Sequence, residues 1–135
     1  SEEGAVLTGI ACDVTDASSV SAAAASSGGV DILVNAAGIG RPGALLEVSP
    51  ADWRRVLDIN LTGYLTTTQA FAPAMVERGS GALVHIASIS SRNPQPGSGA
   101  YSASKAGVAL LSQQLAYELG GNPVDLVVAG GSVIR

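Results

Sequence analysis

The sequence predicts an α/β fold built on a doubly wound parallel sheet, with helices on both faces of the strands. Three observations lead to this prediction: four short apolar runs occur, longer segments of helical period alternate with them, and a polar or glycine-rich segment follows each apolar run. The 135-residue chain is 47% hydrophobic and 13% charged, which is typical of a globular protein with a sizeable core. Residues 1–135 are therefore interpreted as one domain.

The four apolar runs are predicted to be the strands of this sheet. They are Val6–Cys12, Val30–Val34, Ala82–Ala87 and Val124–Ala129. In a parallel sheet of this kind, a ligand binds beyond the carboxyl ends of the strands. The segments that follow the strands are therefore expected to converge on one rim of the sheet; these are Asp13, Asn35–Gly38, Ser88 and Gly130–Ser132.

Three helices are predicted between these strands. Ala17–Ser26 is a short segment of alanine and serine. A long helix begins at Ser49, a capping residue that precedes a proline in the first helical position, and it continues to about Arg78. The last helix, Ala100–Leu119, carries apolar residues along one face and ends at a Gly-Gly-Asn-Pro sequence.

Composition and charge exclude several classes of protein. The net charge is −4 and the seven basic residues are scattered, so nucleic-acid binding is not expected. No apolar run approaches the roughly 18–20 residues of a membrane span, so no membrane partner is expected. The single cysteine, Cys12, cannot form an internal disulfide and favours a cytoplasmic location. His85 has no Cys or His neighbour at ligand spacing, so no metal site is expected.

Tyr101 and Lys105 are the first candidates for catalysis. They lie four residues apart on a predicted helix, which places the ammonium beside the phenol. A nearby cation favours the phenolate, and such a tyrosine can give a proton to a carbonyl oxygen or take one from an alcohol. Pairs with this spacing also arise by chance on many helices, so the interpretation depends on the surrounding sequence.

Three further features support a site at the same rim. Ser88 ends a strand and could hold a substrate oxygen, although an ordinary turn serine would look the same. Asn60 is unfavourable in the middle of a helix, which indicates either a functional role or a buried structural amide. The Asn35–Gly38 segment has small residues where the backbone would approach a ligand closely. An ordinary strand-to-helix turn is the other interpretation of this segment.

Together these segments resemble the short-chain dehydrogenase/reductase family, whose fold is Rossmann-like. The resemblance extends from Thr8 onward, and its matching segments follow the family's order at close to its usual spacing. The matching segments are Cys12–Thr15, Asp31–Gly38, Asp58–Gly63, Ile86–Ser90 and Tyr101–Lys105.

The resemblance implies a role for each residue of the catalytic set. Tyr101 is then the acid/base, Lys105 stabilises its phenolate and binds the nicotinamide ribose, and Ser88 orients the substrate. Asn60 corresponds to a helix asparagine that supports a water chain for proton relay.

The resemblance also implies a cofactor, NAD or NADP. Asp13 and Val14 match positions that contact the adenine. The cofactor lies along the next segment, formed by Asn35, Ala36, Ala37 and Gly38. The residue that distinguishes NAD from NADP follows the family's second strand, which has no counterpart here, so the sequence does not choose between them.

The chain departs from the family at its start. The family begins with a strand, a glycine-rich turn and a helix that bind the pyrophosphate, and none of these precedes Ser1. In the family's strand order 3-2-1-4-5-6, Val6–Cys12 corresponds to strand 3 and Val30–Val34 to strand 4, and strands 1 and 2, which lie between them, are missing. Val6–Cys12 is therefore expected either to be separated from the sheet or to pair directly with Val30–Val34. We therefore expect a piece of a longer protein or omitted segments, and an intact mass of 13.3 kDa would contradict this.

Two other departures concern the first helix and the end of the chain. Ala17–Gly29 is about one helical turn shorter than is usual in the family. The family's last strand usually ends in Pro-Gly, where this chain has Gly131 and Ser132, which weakens the match for the carboxamide-side contact expected at Ile134. The family's substrate lid normally follows the position of Arg135.

The resemblance predicts an NAD(P)-dependent oxidoreductase that acts on a small alcohol or ketone. The alternatives are a non-catalytic or truncated binding protein on the same fold, and an epimerase, isomerase or lyase that uses the same Tyr/Lys pair. The long helices Ser49–Arg78 and Ala100–Leu119 correspond to a four-helix interface in the family, so a homotetramer or homodimer is expected.

Overall fold

The computed structural model describes residues 4–130, which form a three-stranded parallel sheet in the order β1-β2-β3 with helices packed against it. In chain order the elements are α1 (Ala17–Ser26), β1 (Ile32–Asn35), α2 (Pro50–Leu57), α3 (Gly63–Arg78), β2 (Gly81–Ile86), α4 (Gly99–Glu118) and β3 (Val124–Ala129). A π-helical segment, Asp58–Thr62, joins α2 to α3, and a 3₁₀ turn, Ile89–Ser91, follows β2. This architecture confirms the predicted α/β, Rossmann-like fold class.

One face of the sheet is buried under α3 and α4. Leu83 and His85 of β2 and Val128 of β3 point to this face and are fully or almost fully buried. On the opposite face, Ile32 and Val34 of β1 are more than half exposed. Helices were expected on both faces, and within residues 4–130 they cover one, since the two crossovers that join the three strands lie on the same side.

The predicted first strand is wrong. Val6–Cys12 pairs with no strand among the described residues, and the side chains of Val6 and Leu7 are 91% and 93% exposed. An apolar run becomes a strand only when a neighbouring strand satisfies its backbone groups and covers its side chains. Of the two outcomes expected for this run, pairing with β1 does not occur.

The predicted long helix begins where its capping sequence indicates. Ser49 Oγ accepts a hydrogen bond from the Asp52 backbone N–H at 3.0 Å, and Pro50 occupies the first turn. Gly79, with φ of 74°, ends the helix in the left-handed conformation that suits glycine. No residue pattern predicts the π-helical segment, which inserts an extra residue into one turn around Asn60.

Candidate active site

Three of the four predicted rim segments come together. The strands are parallel and adjacent, so Asn35, Ser88 and Gly130 emerge at the same edge of the sheet. Gly130 has φ of 95°, and a Cβ there would lie 3.3 Å from the Ala87 carbonyl atoms. Asp13 does not follow a strand, because the strand expected before it does not form. The remaining predicted positions, Gly131, Ser132 and Ile134, lie outside the described residues.

Lys105, the one lysine of the sequence, is 3% exposed at this edge. Its Nζ donates to the Ile86 carbonyl at 2.6 Å and to the Tyr64 hydroxyl at 3.3 Å. The same Nζ lies 5.8 Å from the centre of the Tyr101 ring, as expected for residues four apart on α4. Burial lowers the pKa of the Lys105 ammonium, because desolvation disfavours its charge.

Tyr101 lines an open cavity and lies close to Lys105. It is half-buried near the start of α4, and the cavity beside it has a volume of about 350 Å³. The cavity is lined by Tyr101 and by Gly40, Arg41, Pro42, Pro96, Gly97 and Ser98. A small molecule in this cavity would contact Tyr101.

Asn60 is completely buried and holds the loop that follows β1. Its Oδ1 accepts from the Ile39 N–H and its Nδ2 donates to the Ile39 carbonyl, both at 2.8 Å. Nδ2 also donates to Ser104 Oγ at 3.0 Å, which joins this loop to α4 directly beside Lys105. The side-chain amide of Asn60 therefore uses its oxygen and both of its N–H groups to clamp this loop against α4. The relay role that the resemblance implies for Asn60 stays a prediction.

Ser88 caps the 3₁₀ turn on which the start of α4 packs. Its Oγ accepts from the Ser90 N–H at 3.1 Å, and the side chain is half-buried. A hydroxyl has one proton to donate and two lone pairs, so this contact leaves the proton available for a substrate oxygen. Capping and substrate orientation, the two interpretations of Ser88, are therefore compatible.

The first residue of the Asn35–Gly38 segment is buried and hydrogen-bonded, and the other three residues are exposed. Asn35 is buried, accepts from the Thr67 hydroxyl at 2.6 Å and donates to Thr68 Oγ1 at 3.4 Å. Ala36, Ala37 and Gly38 are exposed. A Cβ on Gly38 would lie 3.8 Å from Lys105 Nζ, so the missing side chain leaves accessible surface beside the ammonium.

Asp13 and Val14 occupy a different part of the surface. Asp13 is exposed, and hydrogen bonds from the Thr15 hydroxyl and backbone hold its pKa below the usual range. Val14 packs against Gly63 at the start of α3, where a Cβ would lie 2.8 Å from Val14 Cγ2. No hydrogen bond joins either residue to Lys105 or to its partners Tyr64 and Ile86.

The sequence interpretation missed two side chains of this site, Tyr64 and Ser104. The sequence shows Tyr64 only as an aromatic residue within the long predicted helix, but its hydroxyl accepts a hydrogen bond from Lys105. It lies four residues after Asn60, and this spacing could have placed both on one helix face. Ser104 directly precedes Lys105 and contacts Asn60. The carbonyl of Ile86 carries no sequence signal, because every residue has one.

Within residues 4–130, no group of three or more His, Cys, Asp or Glu side chains could hold a metal ion. Over the same range, no helix has the length and hydropathy needed to cross a membrane.

Known proteins resemble the chain over most of its length. The profile of the family described as short chain dehydrogenase matches residues 1–134. The chain belongs to this family. D-threitol dehydrogenase of Mycolicibacterium smegmatis is 43% identical over 130 residues, which cover 93% of this chain and 50% of that relative. Galactitol 2-dehydrogenase (L-tagatose-forming) of Cereibacter sphaeroides is 44% identical over 126 residues, covering 89% and 49%.

Solved structures of the family superpose on the chain. A short-chain dehydrogenase from Streptomyces avermitilis has a TM-score of 0.85 and 35% identity, covering 93% of this chain and 49% of that one. A metagenomic short-chain oxidoreductase in complex with NADP has a TM-score of 0.81 and 34% identity, covering 87% and 55%. The chain spans about half the length of the curated relatives it matches.

Proposed function

We propose that this chain carries the acid/base site of an NAD(P)-dependent oxidoreductase that interconverts an alcohol and a ketone. The observation that supports this most directly is the position of Tyr101, which lines an open cavity and lies close to the buried Lys105 ammonium. The family's dehydrogenases support the reaction class.

The residues present fit the nicotinamide end of a dinucleotide. Lys105 donates two of its three N–H groups to Ile86 and Tyr64. The third N–H group is available to ribose hydroxyls that lie over the open surface at Gly38. Ala36 and Ala37 keep the neighbouring surface free of long side chains. We further propose that Asp13 and Val14 contact the adenine, and that Asn35 and Ile134 complete the cofactor-binding set.

In the proposed mechanism, a bound nicotinamide supplies the redox chemistry by accepting hydride from the alcohol carbon or returning it to the ketone. Tyr101 Oη takes the alcohol proton as the C–H bond breaks, and it returns that proton to the ketone oxygen in the reverse direction. The Lys105 ammonium favours the phenolate through the positive charge it holds nearby. Ser88 donates its proton to the substrate oxygen and aligns it with Tyr101.

Small polyols are the substrates that we propose to test first. Two of the similar relatives are named for D-threitol and galactitol, which are both sugar alcohols. The cavity of about 350 Å³ is within the range of small-ligand sites, and Arg41 on its wall offers hydrogen-bond donors to hydroxyl groups.

The test is a screen of sugar alcohols, cyclic alcohols and ketones with NAD and NADP, using the natural full-length protein and following reduction of the nicotinamide. We expect turnover of at least one alcohol class with at least one dinucleotide. Absence of turnover, together with no thermal shift on adding either dinucleotide, would contradict the proposal and favour a non-catalytic protein on the same fold.

We also propose a homodimer or homotetramer assembled through α3 and α4. An apolar groove of about 420 Å³ runs between these helices, lined by Thr68, Gln69, Ala72, Pro73, Val76, Glu77, Leu115 and Leu119. A cytoplasmic location is proposed with it, because the single cysteine, Cys12, is free and exposed and suits a reducing compartment.

A further inference from the structure

Tyr64 occupies a position for which the proposed mechanism has no role. Its ring is 1% exposed, and its hydroxyl donates to the Ile86 carbonyl at 3.0 Å. Lys105 Nζ donates to the same carbonyl at 2.6 Å and to the Tyr64 oxygen at 3.3 Å. The three polar atoms therefore form a closed triangle at the end of β2. The ammonium also lies 5.2 Å from the centre of the Tyr64 ring, within the range of a cation–π interaction.

We propose that Tyr64 is a positioning residue for Lys105, whose ammonium it fixes together with the Ile86 carbonyl between the rings of Tyr64 and Tyr101. A lysine ends in a compact charge on a flexible four-carbon chain, so its ammonium needs partners to stay in one place. Tyr64 and Ile86 take two of its three N–H groups, which leaves the third for a ligand at the rim. This inference rests on the proposed function of Lys105 and adds a residue that acts through it.

The electrostatics of the triangle favour a charged Lys105. Burial alone lowers the pKa of Lys105, so each acceptor at the ammonium opposes that effect. Burial also raises the pKa of Tyr64 to about 12, which keeps its phenol neutral and able to accept from Lys105 while donating to Ile86. The titratable side chains that flank Lys105 are Tyr64 on α3 and Tyr101 on α4, and β2 contributes a neutral carbonyl.

The test compares Tyr64→Phe with Tyr117→Phe in the natural full-length protein. Both variants lose one hydroxyl, but Tyr117 is 85% exposed and serves as the matched control. The first measurement is the titration of Lys105, followed by NMR of ¹³Cε-labelled lysine. The Lys105 signal is assigned by its loss in Lys105→Arg. This measurement needs neither cofactor nor turnover. We expect a lower titration midpoint for Lys105 in Tyr64→Phe and an unchanged one in Tyr117→Phe.

The second measurement is the pH profile of kcat for an alcohol that the wild-type protein oxidises. In Tyr64→Phe we expect kcat to fall by about tenfold, and its alkaline limb to move to lower pH, because Lys105 loses its charge sooner. A structural role alone would lower the melting temperature and leave the shape of the profile unchanged.

An unchanged Lys105 midpoint in a folded Tyr64→Phe protein would overturn the inference, whatever the activity. Lack of turnover in the wild-type protein would instead count against the proposed function, and the NMR titration would still decide the role of Tyr64. If circular dichroism shows that Tyr64→Phe is unfolded, Tyr64→Trp, which keeps an aromatic ring and lacks the phenol oxygen, takes its place in the same titration.

Discussion

At the scale of single residues, His85 shows how completely the polar groups beneath the site are hydrogen-bonded. Its ring is fully buried, with Nδ1 at 2.9 Å from Ser112 Oγ and Nε2 at 3.3 Å from Thr68 Oγ1. Ser112 donates its proton to the Val108 carbonyl at 2.7 Å and Thr68 donates its proton to the Tyr64 carbonyl at 2.6 Å, so both hydroxyls are acceptors towards the ring. We assign His85 as neutral, because burial disfavours its charged form.

This burial predicts that stability depends on pH. Burial lowers the pKa of His85 from 6.5 to about 4, so the unfolded chain binds a proton more readily than the folded one between these values. We expect the free energy of unfolding to fall by about 3 kcal/mol as the pH drops from 6.5 to 4, with no further contribution from His85 below that. Urea unfolding of the wild-type protein and of His85→Gln at several pH values measures it. An equal pH dependence in both proteins would contradict the assignment.

The clamp formed by Asn60 gives a second prediction at this scale. Asn60→Ala leaves the partly buried N–H and carbonyl of Ile39 without their partners, and we expect a loss of about 1–3 kcal/mol in the free energy of unfolding. Asn93→Ala, at an exposed position, is the control and should change stability little. If the two variants unfold at the same urea concentration, the hydrogen bonds of Asn60 do not contribute as the structure indicates.

Much of the residue-level site could be predicted from sequence, and the rest could not for a physical reason. Tyr101, Lys105, Ser88 and Asn60 could be chosen because residue type and spacing limit their chemistry. The partners of Lys105 could not, since one is a backbone carbonyl and the other, Tyr64, has the same pattern as a core aromatic. Contacts between residues 41 positions apart depend on packing that local periodicity does not encode.

At the scale of elements, the π-helical segment shapes the junction between α2 and α3. Gly63 follows it directly, and a Cβ at this position would lie 2.8 Å from Val14 Cγ2 and 3.0 Å from Val14 Cβ. Valine is stiff and these atoms are close to its backbone, so the contact cannot be relieved by a side-chain rotation alone. The absence of a side chain at Gly63 is therefore needed for the chain before α1 to pack on α3.

We predict that Gly63→Ala destabilises the fold even though alanine is the better helix former. Overpacking of this kind costs about 1–3 kcal/mol, which exceeds the gain of about 1 kcal/mol in helix propensity. Thr62→Ala, at the neighbouring exposed position, is the control and lacks the steric conflict. Thermal unfolding followed by circular dichroism compares them, and a melting temperature that rises in Gly63→Ala would show that Val14 does not pack there.

Sequence patterns predicted the helices and strands whose formation depends on neighbouring residues in the chain. Ala17–Ser26 and Val124–Ala129 were predicted with the bounds that the structure has, and the cap at Ser49 lies where expected. The strand expected at Val6–Cys12 did not form, since a strand also needs a neighbour to pair with. The π-helical segment was not foreseen, because one inserted residue hardly alters an apolar period.

At the scale of the whole molecule, the apolar groove between α3 and α4 predicts self-association. Burial of Leu115 and Leu119 against a second copy would remove apolar surface from water, so we expect a dimer or tetramer at micromolar concentration. Val76→Glu places a charge in the groove and should shift the protein towards monomer, whereas Glu47→Gln, on an exposed loop, should not. Sedimentation velocity distinguishes these states, and a monomeric wild-type protein would contradict the proposed assembly.

The central claim is that Tyr101 transfers the proton in a dehydrogenase reaction supported by Lys105. Initial rates of alcohol oxidation by the natural full-length protein, Tyr101→Phe and Tyr117→Phe test it most directly. We expect Tyr101→Phe to lose at least a hundredfold in kcat, the lower end for a general acid or base, while it still binds the dinucleotide, and Tyr117→Phe to match the wild-type rate. Full turnover by Tyr101→Phe would contradict the mechanism.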